Sequence, residues 1–231
     1  MPRDLSRRSN EQEIMDGGIG SFQLFDESLK QIEAVNRLTL GYRPVLSWVA
    51  RQLLSPEPRL VTILDVGCGR GDLLRRIWFL ARKKNVTVRL TGVDIDSWSS
   101  PAARQATPEY MDINYRIGNV FDLDIEADFI VCSHVAHHMT NDELVAFIRW
   151  LEKHARRGWF ISDLHRHPIS LLFAKMFLFL APVNSMVRHD GAVSVARSFT
   201  AKDWRDILKQ AGVPAQICWH FQFRFSVARC K

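Results

Sequence analysis

Val61-Thr62-Ile63-Leu64-Asp65-Val66-Gly67-Cys68-Gly69-Arg70-Gly71-Asp72 decides how this chain is read. The stretch opens as a short, nearly unbroken apolar run and closes in three glycines spaced two apart. From residue 73 to 81 the apolar positions then recur at helical spacing. An apolar run of this kind is a strand buried on both faces of a parallel sheet. Glycines between a strand and a helix let the backbone turn tightly and approach a ligand at the helix N-terminus. Ligands of open α/β sheets sit beyond the carboxyl ends of the strands, so the same turn is the first candidate site.

Working outward, strands are expected at 87–93, 115–117, 129–132 and 159–162. Helices are expected at 22–40, after Pro44, at 73–81, from Asn141, at 169–180 and from Thr200 to a stop at Gly212. Alternating strand and helix over 60–165 argues for a doubly wound, mostly parallel α/β sheet. Residues 216–229 read as two strands with no helix between them, so one late strand runs antiparallel. This organisation divides the chain into a flexible arm (1–20), an N-terminal helical cap (21–57) and a main domain (58–231) with an insertion at about 166–199.

Composition narrows the classes. The 231 residues are 47% hydrophobic and 24% charged, which excludes a disordered or fibrous chain. Lys+Arg 31 against Asp+Glu 25 gives +6, and part of that excess sits in the N-terminal run with Arg3, Arg7 and Arg8, so no nucleic-acid surface is expected. Cys68, Cys132, Cys218 and Cys230 form no CxxC pair and read as reduced thiols of a cytoplasmic protein. The apolar stretch 169–182 carries Lys175 and is too short to span a bilayer, which leaves peripheral membrane contact open.

Asp94, at the end of the second strand in Val93-Asp94-Ile95-Asp96, is placed to accept hydrogen bonds from both hydroxyls of a ribose. The glycine spacing is G-x-G-x-G, unlike the G-x-G-x-x-G of dinucleotide sites, and no P-loop is present. The segment Asp65–Gly71 resembles the glycine motif of class I S-adenosylmethionine-dependent methyltransferases, and the likeness is nearest to the small-molecule group typified by ubiquinone and menaquinone biosynthesis. The resemblance implies a seven-stranded Rossmann-like fold and S-adenosyl-L-methionine as cofactor. It places Asp65 near the methionine part of the donor and Gly67, Gly69 and Gly71 under it. Asp94 and Ile95 follow the second strand, Asn119 and Val120 flank the adenine, and Ser133 lies after the fourth strand. Ser97-Trp98-Ser99-Ser100-Pro101 departs from the usual helix of the family, and an irregular adenine pocket is expected there. Arg43, ahead of a helix, is a candidate partner for the donor's carboxylate.

His134, His137, His138, His165, His167 and His189 cluster around the ends of the fourth and fifth strands and a following loop at 188–190. An imidazole titrates near neutral pH and can take the proton of a phenol or enol during methyl transfer. His134, His165 and His189 are the candidate bases, with Asp163 to orient one of them; His137 and His138 read as a loop-to-helix junction. A metal held by His134, His137 and His138 with His165 and His167 is the rival arrangement. No acidic or cysteine ligand has metal-site spacing there, so none is assigned.

The insertion carries apolar residues around nearly the whole of helix 169–180, which must be covered. The expectation is a lid, with the N-terminal helices, over an apolar substrate. The expected activity is therefore O-methylation of a small hydroxylated, aromatic or polyketide-like acceptor of secondary metabolism. C-methylation of a quinone precursor or ring is the variant, and a non-catalytic donor-binding protein the alternative of another class. A nicotinamide oxidoreductase and a nucleic-acid methyltransferase fit less well, by glycine spacing and by the lack of a base-flipping segment. A monomer or homodimer satisfies the sequence equally.

Overall fold

The computed structural model describes residues 4–18, 20–54, 60–221 and 223–231. Arg3 and the boundary placed at 57/58 lie outside them. The described residues form seven strands: β1 (Val61–Val66), β2 (Val88–Asp94), β3 (Ile113–Ile117), β4 (Ala127–Ser133), β5 (Ala155–Leu164), β6 (Gln216–His220) and β7 (Arg224–Cys230). Their order in one sheet is β3-β2-β1-β4-β5-β7-β6. β1 to β5 pair in parallel, while β7 runs antiparallel to both β5 and β6, as a strand pair without a crossover helix must.

The helices are α1 (Phe22–Leu38), α2 (Arg43–Gln52), α3 (Asp72–Lys83), α4 (Ser99–Ala106), α5 (Asn141–His154), α6 (Pro168–Leu180), α7 (Ser185–Arg197) and α8 (Ala201–Ala211). Both faces of the sheet are covered, as near-continuous apolar strands require. On one side Leu64, Ile130, Trp159 and Ile161 pack with Phe147, Ile148, Trp204 and Ile207. On the other, Ile63, Leu90, Phe129 and Phe160 pack with Trp48, Leu74 and Ile77. Reciprocal capping boxes, Thr140 with Glu143 and Thr200 with Asp203, start α5 and α8. Gly212, left-handed at φ 70°, stops α8.

Three features differ from the sequence reading. Residues 188–190 lie inside α7 rather than in a loop. Met186, Val187, Asp190 and residues 192–196 are buried on several sides of that helix, so it shows no apolar stripe. A Cβ on its Gly191 would stand 2.3 Å from Leu178 Cδ1, so the glycine is what lets α7 lie close on α6. α4 forms despite Pro101, because a proline in a first turn removes an N–H that needs no partner. Residues 4–18, where a loose arm was expected, lie along α7 and the turn at 136–138. Arg8 donates to the carbonyls of Met139 (2.8 Å), His137 (3.2 Å) and Arg197 (2.7 Å), and the carboxylate of Asp190 accepts from the amides of Ile14 and Met15. The polar composition that suggested a free arm supplies partners for backbone groups of the folded domain.

Candidate functional site

β1 and β4 are neighbours whose crossovers lead to opposite sides, which opens a crevice at their carboxyl ends. A cavity of about 830 Å³ occupies it. Its floor is Asp65, Gly67, Gly69, Asp94, Ile95, Asn119, Val120, Ser133 and His134. Its far wall is apolar and comes from α1 (Phe25, Leu29, Ile32), α6 (Phe173, Phe177) and α7 (Val187). Helix α1 is held over the glycine turn by ion pairs: Arg70 reaches Asp26 (2.7 Å) and Glu33 (3.4 Å), and Arg75 reaches Glu33 (2.9 Å).

The glycine turn is shaped by contacts that exclude side chains. Gly67 has φ +73°, and a Cβ there would stand 2.1 Å from Val135 Cγ2. The Gly69 amide donates to Asp94 Oδ2 at 2.7 Å, and Asp94 Oδ1 accepts from the Asp96 amide at 3.0 Å. Ser99 also bonds this carboxylate, which lines the cavity and, with about four acceptor sites, is not saturated by these three donors. Asn119 Oδ1 accepts from the Phe121 amide (3.1 Å), which leaves its Nδ2 to donate. Ile95, 74% exposed, and Phe121 add apolar side chains to the cavity lining.

Asp65 is 2% exposed. Among the described residues no donor bonds its carboxylate, and burial, with Asp72 and Asp94 alongside, pushes its carboxyl well above the ordinary range. A buried acid without a donor, beside two more acids, calls for a positive partner. That requirement, the ribose-competent Asp94 and the cradle at Gly67 fit the sulfonium donor implied by the sequence. Burial and Asp65 push the Cys68 thiol far up, and burial does the same to Cys132, so neither is a nucleophile.

The histidines sort differently from expectation. His134 lines the cavity at φ +59°. Arg224 Nε donates to its Nε2 (3.1 Å), which places the proton on Nδ1, facing Ser133 Oγ (3.1 Å). Burial and the Arg224 charge hold it down at about 3, so it is neutral with its lone pair occupied. His165 is off the cavity, edge-on to Phe225 and accepting from Trp219 Nε1 at 3.3 Å. His189 is also off it, on the outer side of α7, pairing with Glu11 (3.3 Å) and Asp190 (2.9 Å). Arg43 is exposed and does not line the cavity. Gly71 lies behind the wall, where a Cβ would meet Tyr115 Oη at 2.2 Å.

Asp163 is fully buried and orients His137, which had read as a junction. Its Oδ1 is 2.8 Å from His137 Nδ1, and its Oδ2 accepts from the His137 amide at 2.9 Å. His137 Nε2 faces Glu13 Oε1 at 3.3 Å, and Ser194 Oγ donates to the same oxygen at 2.8 Å. Burial disfavours the charged imidazole, but Asp163 and Glu13 outweigh it and hold His137 up at about 10. Burial likewise opposes the carboxylate of Asp163, and the charge of His137 overrides it, to about 2. Glu13 is lowered in the same way. Glu13 and His137 both line the cavity. Sequence reading missed Glu13 altogether. The His137–Asp163 pairing carried a signal, since Asp163 stands near the carboxyl end of β5 and His137 follows that of its parallel neighbour β4, where Ser133 stands opposite Ser162.

Glu13, His137 and His138 also bring ligand atoms within 4.8 Å of one another, a set that could hold a cation. His165 and His167 take no part in it: His167 Nδ1 caps α6 by accepting from the Ile169 amide.

Residues 63–158 match the family model of the methyltransferase domain. No curated protein matches the chain in sequence. Among solved structures, the chain is similar to a SAM-dependent methyltransferase from Aquifex aeolicus, at TM-score 0.61 and 15% identity, covering 88% of this chain and 96% of that one. It is similar to the plantazolicin methyltransferase BpumL in complex with a monoazolic desmethylPZN analogue and SAH, at TM-score 0.64 and 14% identity, covering 87% and 89%. It is also similar to the magnesium protoporphyrin IX methyltransferase of Synechocystis PCC 6803 with bound SAH, at TM-score 0.56 and 20% identity, covering 84% and 82%. At these identities the likeness is one of fold. The comparisons support the methyltransferase class read from the glycine turn, and not the quinone-biosynthesis subgroup.

Proposed function

We propose that this chain, a class I methyltransferase that takes S-adenosyl-L-methionine as donor, methylates a hydroxyl of a small, largely apolar acceptor. The observation that carries this is one shared chamber. Asp65, the glycine turn and Asp94 form one end, and Glu13 and His137 stand with the apolar walls of α1, α6 and α7 at the other. A chamber of about 830 Å³ is at the upper part of the usual range for small-molecule sites and suits two ligands together.

Bound, the donor supplies an electrophilic methyl group on a positively charged sulfur. Asp94 takes the ribose hydroxyls, Asn119, Ile95 and Phe121 hold the adenine, and Asp65 answers the positive end. The α1 wall excludes water from the transfer. An acceptor hydroxyl held between the apolar wall and Glu13 would give its proton to the Glu13 carboxylate as the new O–C bond forms and the S–C bond breaks; His137, already protonated, holds that carboxylate in place and takes no proton itself. Asp163 fixes the ring of His137 and balances its charge. His134 cannot be that base while Arg224 occupies its Nε2; it and Ser133 shape the floor instead. In-line placement supplies most of the remaining rate.

The test joins calorimetry to product analysis. Wild type binds donor and demethylated donor and methylates members of a phenol panel, with NMR separating O-methyl from C-methyl products. Glu13→Gln keeps donor affinity within about twofold and loses about 10²-fold or more in kcat, the usual worth of a positioned base. A wild-type rate in that variant removes Glu13 from the chemistry, and failure of wild type to bind donor removes the reading as a whole.

A further inference from the structure

Helix α6 has one side in the chamber and the other in water. Ser170, Ala174, Phe177 and Leu178 line the cavity. On the outer side Leu172 is 65% exposed, Phe179 71% and Leu180 77%, joined by Ile169 and Met176. At the chamber rim the apolar surface meets the β6–β7 hairpin: Phe173, which also lines the chamber, lies 6.1 Å from the Phe223 ring and Phe223 6.4 Å from that of Trp219, which is half exposed, and Phe221 is 82% exposed. Single exposed apolar residues are ordinary, but a contiguous set this large marks a contact surface.

Charge identifies the occupant. Between Asp163 and Asp190 the chain has no Asp or Glu. The cations in and beside the patch are Lys175, exposed on α6, and Arg188, whose guanidinium lies 5.9 Å over the Phe179 ring while its Nε donates to the Leu178 carbonyl. A symmetric pairing of α6 with the α6 of a second copy would set these cations against each other, with no carboxylate on residues 164–189 to pair them. Among the described residues no helix is long and apolar enough to cross a membrane, and α6, at about 1.5 Å per residue, measures about 20 Å. A short helix with an aromatic and aliphatic outer face, lysine and arginine at its margin and an indole nearby suits the headgroup boundary of an anionic bilayer.

We propose that the outer face of α6 and the β6–β7 hairpin dock this protein on an anionic lipid surface, with the wall of the chamber against the bilayer. This goes beyond the methyl-transfer reading, and vesicle binding without donor tests it separately. The full chain is floated with vesicles of phosphatidylcholine containing phosphatidylglycerol and with vesicles of phosphatidylcholine alone. Wild type rises with the anionic vesicles. The triple variant Leu172→Ser, Phe179→Ser, Leu180→Ser, none of which lines the chamber, loses about tenfold or more in partitioning. Lys175→Glu loses about fivefold or more on anionic vesicles and little on neutral ones. Unfolding midpoints and donor calorimetry establish that each variant is folded, and Lys175→Glu decides if the triple variant is not. Wild type remaining at the bottom with anionic vesicles overturns the proposal. So does a patch-dependent dimer in sedimentation that leaves vesicles unbound, which would assign the face to a second copy.

Discussion

Asp65→Asn should make the empty protein more stable and a worse binder at the same time. The carboxylate is buried, has no donor among the described residues and faces Asp72 and Asp94, so its folded pKa is raised well above the unfolded value. An acid shifted in this direction costs the folded state nothing below about pH 4. Above that the unfolded chain releases its proton first, so stability falls as pH climbs toward the raised folded value. Each unit of displacement is worth about 1.4 kcal/mol, and 1 kcal/mol moves the midpoint of a chain this long by about 2–4 °C. The neutral amide removes that cost while keeping the shape. Without donor, the variant should therefore melt several degrees above wild type at pH 8, with the gap narrowing toward pH 4. With donor the order reverses, because the variant no longer answers the ligand's positive charge and loses about tenfold or more in affinity. Scanning calorimetry across pH, with and without demethylated donor, measures both halves. A variant that melts below wild type at pH 8, or binds donor as tightly, refutes the account of Asp65.

Gly67→Ala places a Cβ 2.1 Å from Val135 Cγ2, where about 3.5–4.0 Å is needed, on a backbone at φ +73°. The left-handed backbone alone costs about 1–2 kcal/mol, and moving Val135 raises the total to about 2–4 kcal/mol, read as a lower midpoint together with lost donor binding. His137→Gln gives the opposite pH signature to Asp65. His137 is held up at about 10 against an ordinary 6.5, so its pairing with Asp163 and Glu13 stabilises fully below pH 6.5 and fades as pH rises through 10. Chemical denaturation should show the widest gap between wild type and variant near pH 6 and its closure toward pH 10; a constant gap would argue against a charged imidazole.

The sheet was legible because β1, β4 and the centre of β5 are short apolar runs, because α5 and α8 start at readable caps, and because a strand pair without a crossover must turn back on itself. The donor half of the site was legible for a related reason. Glycines and acids at strand ends are placed by the topology, whatever the side chains around them do. The half proposed to handle the proton was not. His137 and His165 both follow strand ends, and only the packing separates them: the first swings inward after the left-handed backbone of His134, and the second turns out against Phe225 and Trp219. Glu13 comes from a segment whose composition resembles a free arm, and its place depends on Arg8, Asp190 and Ser194, residues far apart in sequence. α7 escaped because it is small-residued and buried on several sides, so the stripe that betrays an amphipathic helix is missing.

The Arg70 and Arg75 latches on α1 make ionic strength a throttle on exchange. In the reaction proposed above, spent donor would leave past a roof fastened by guanidinium–carboxylate contacts that are partly open to water, and dissolved salt weakens such contacts. Mild salt should therefore speed donor exchange until the loosened roof begins to admit water to the reaction.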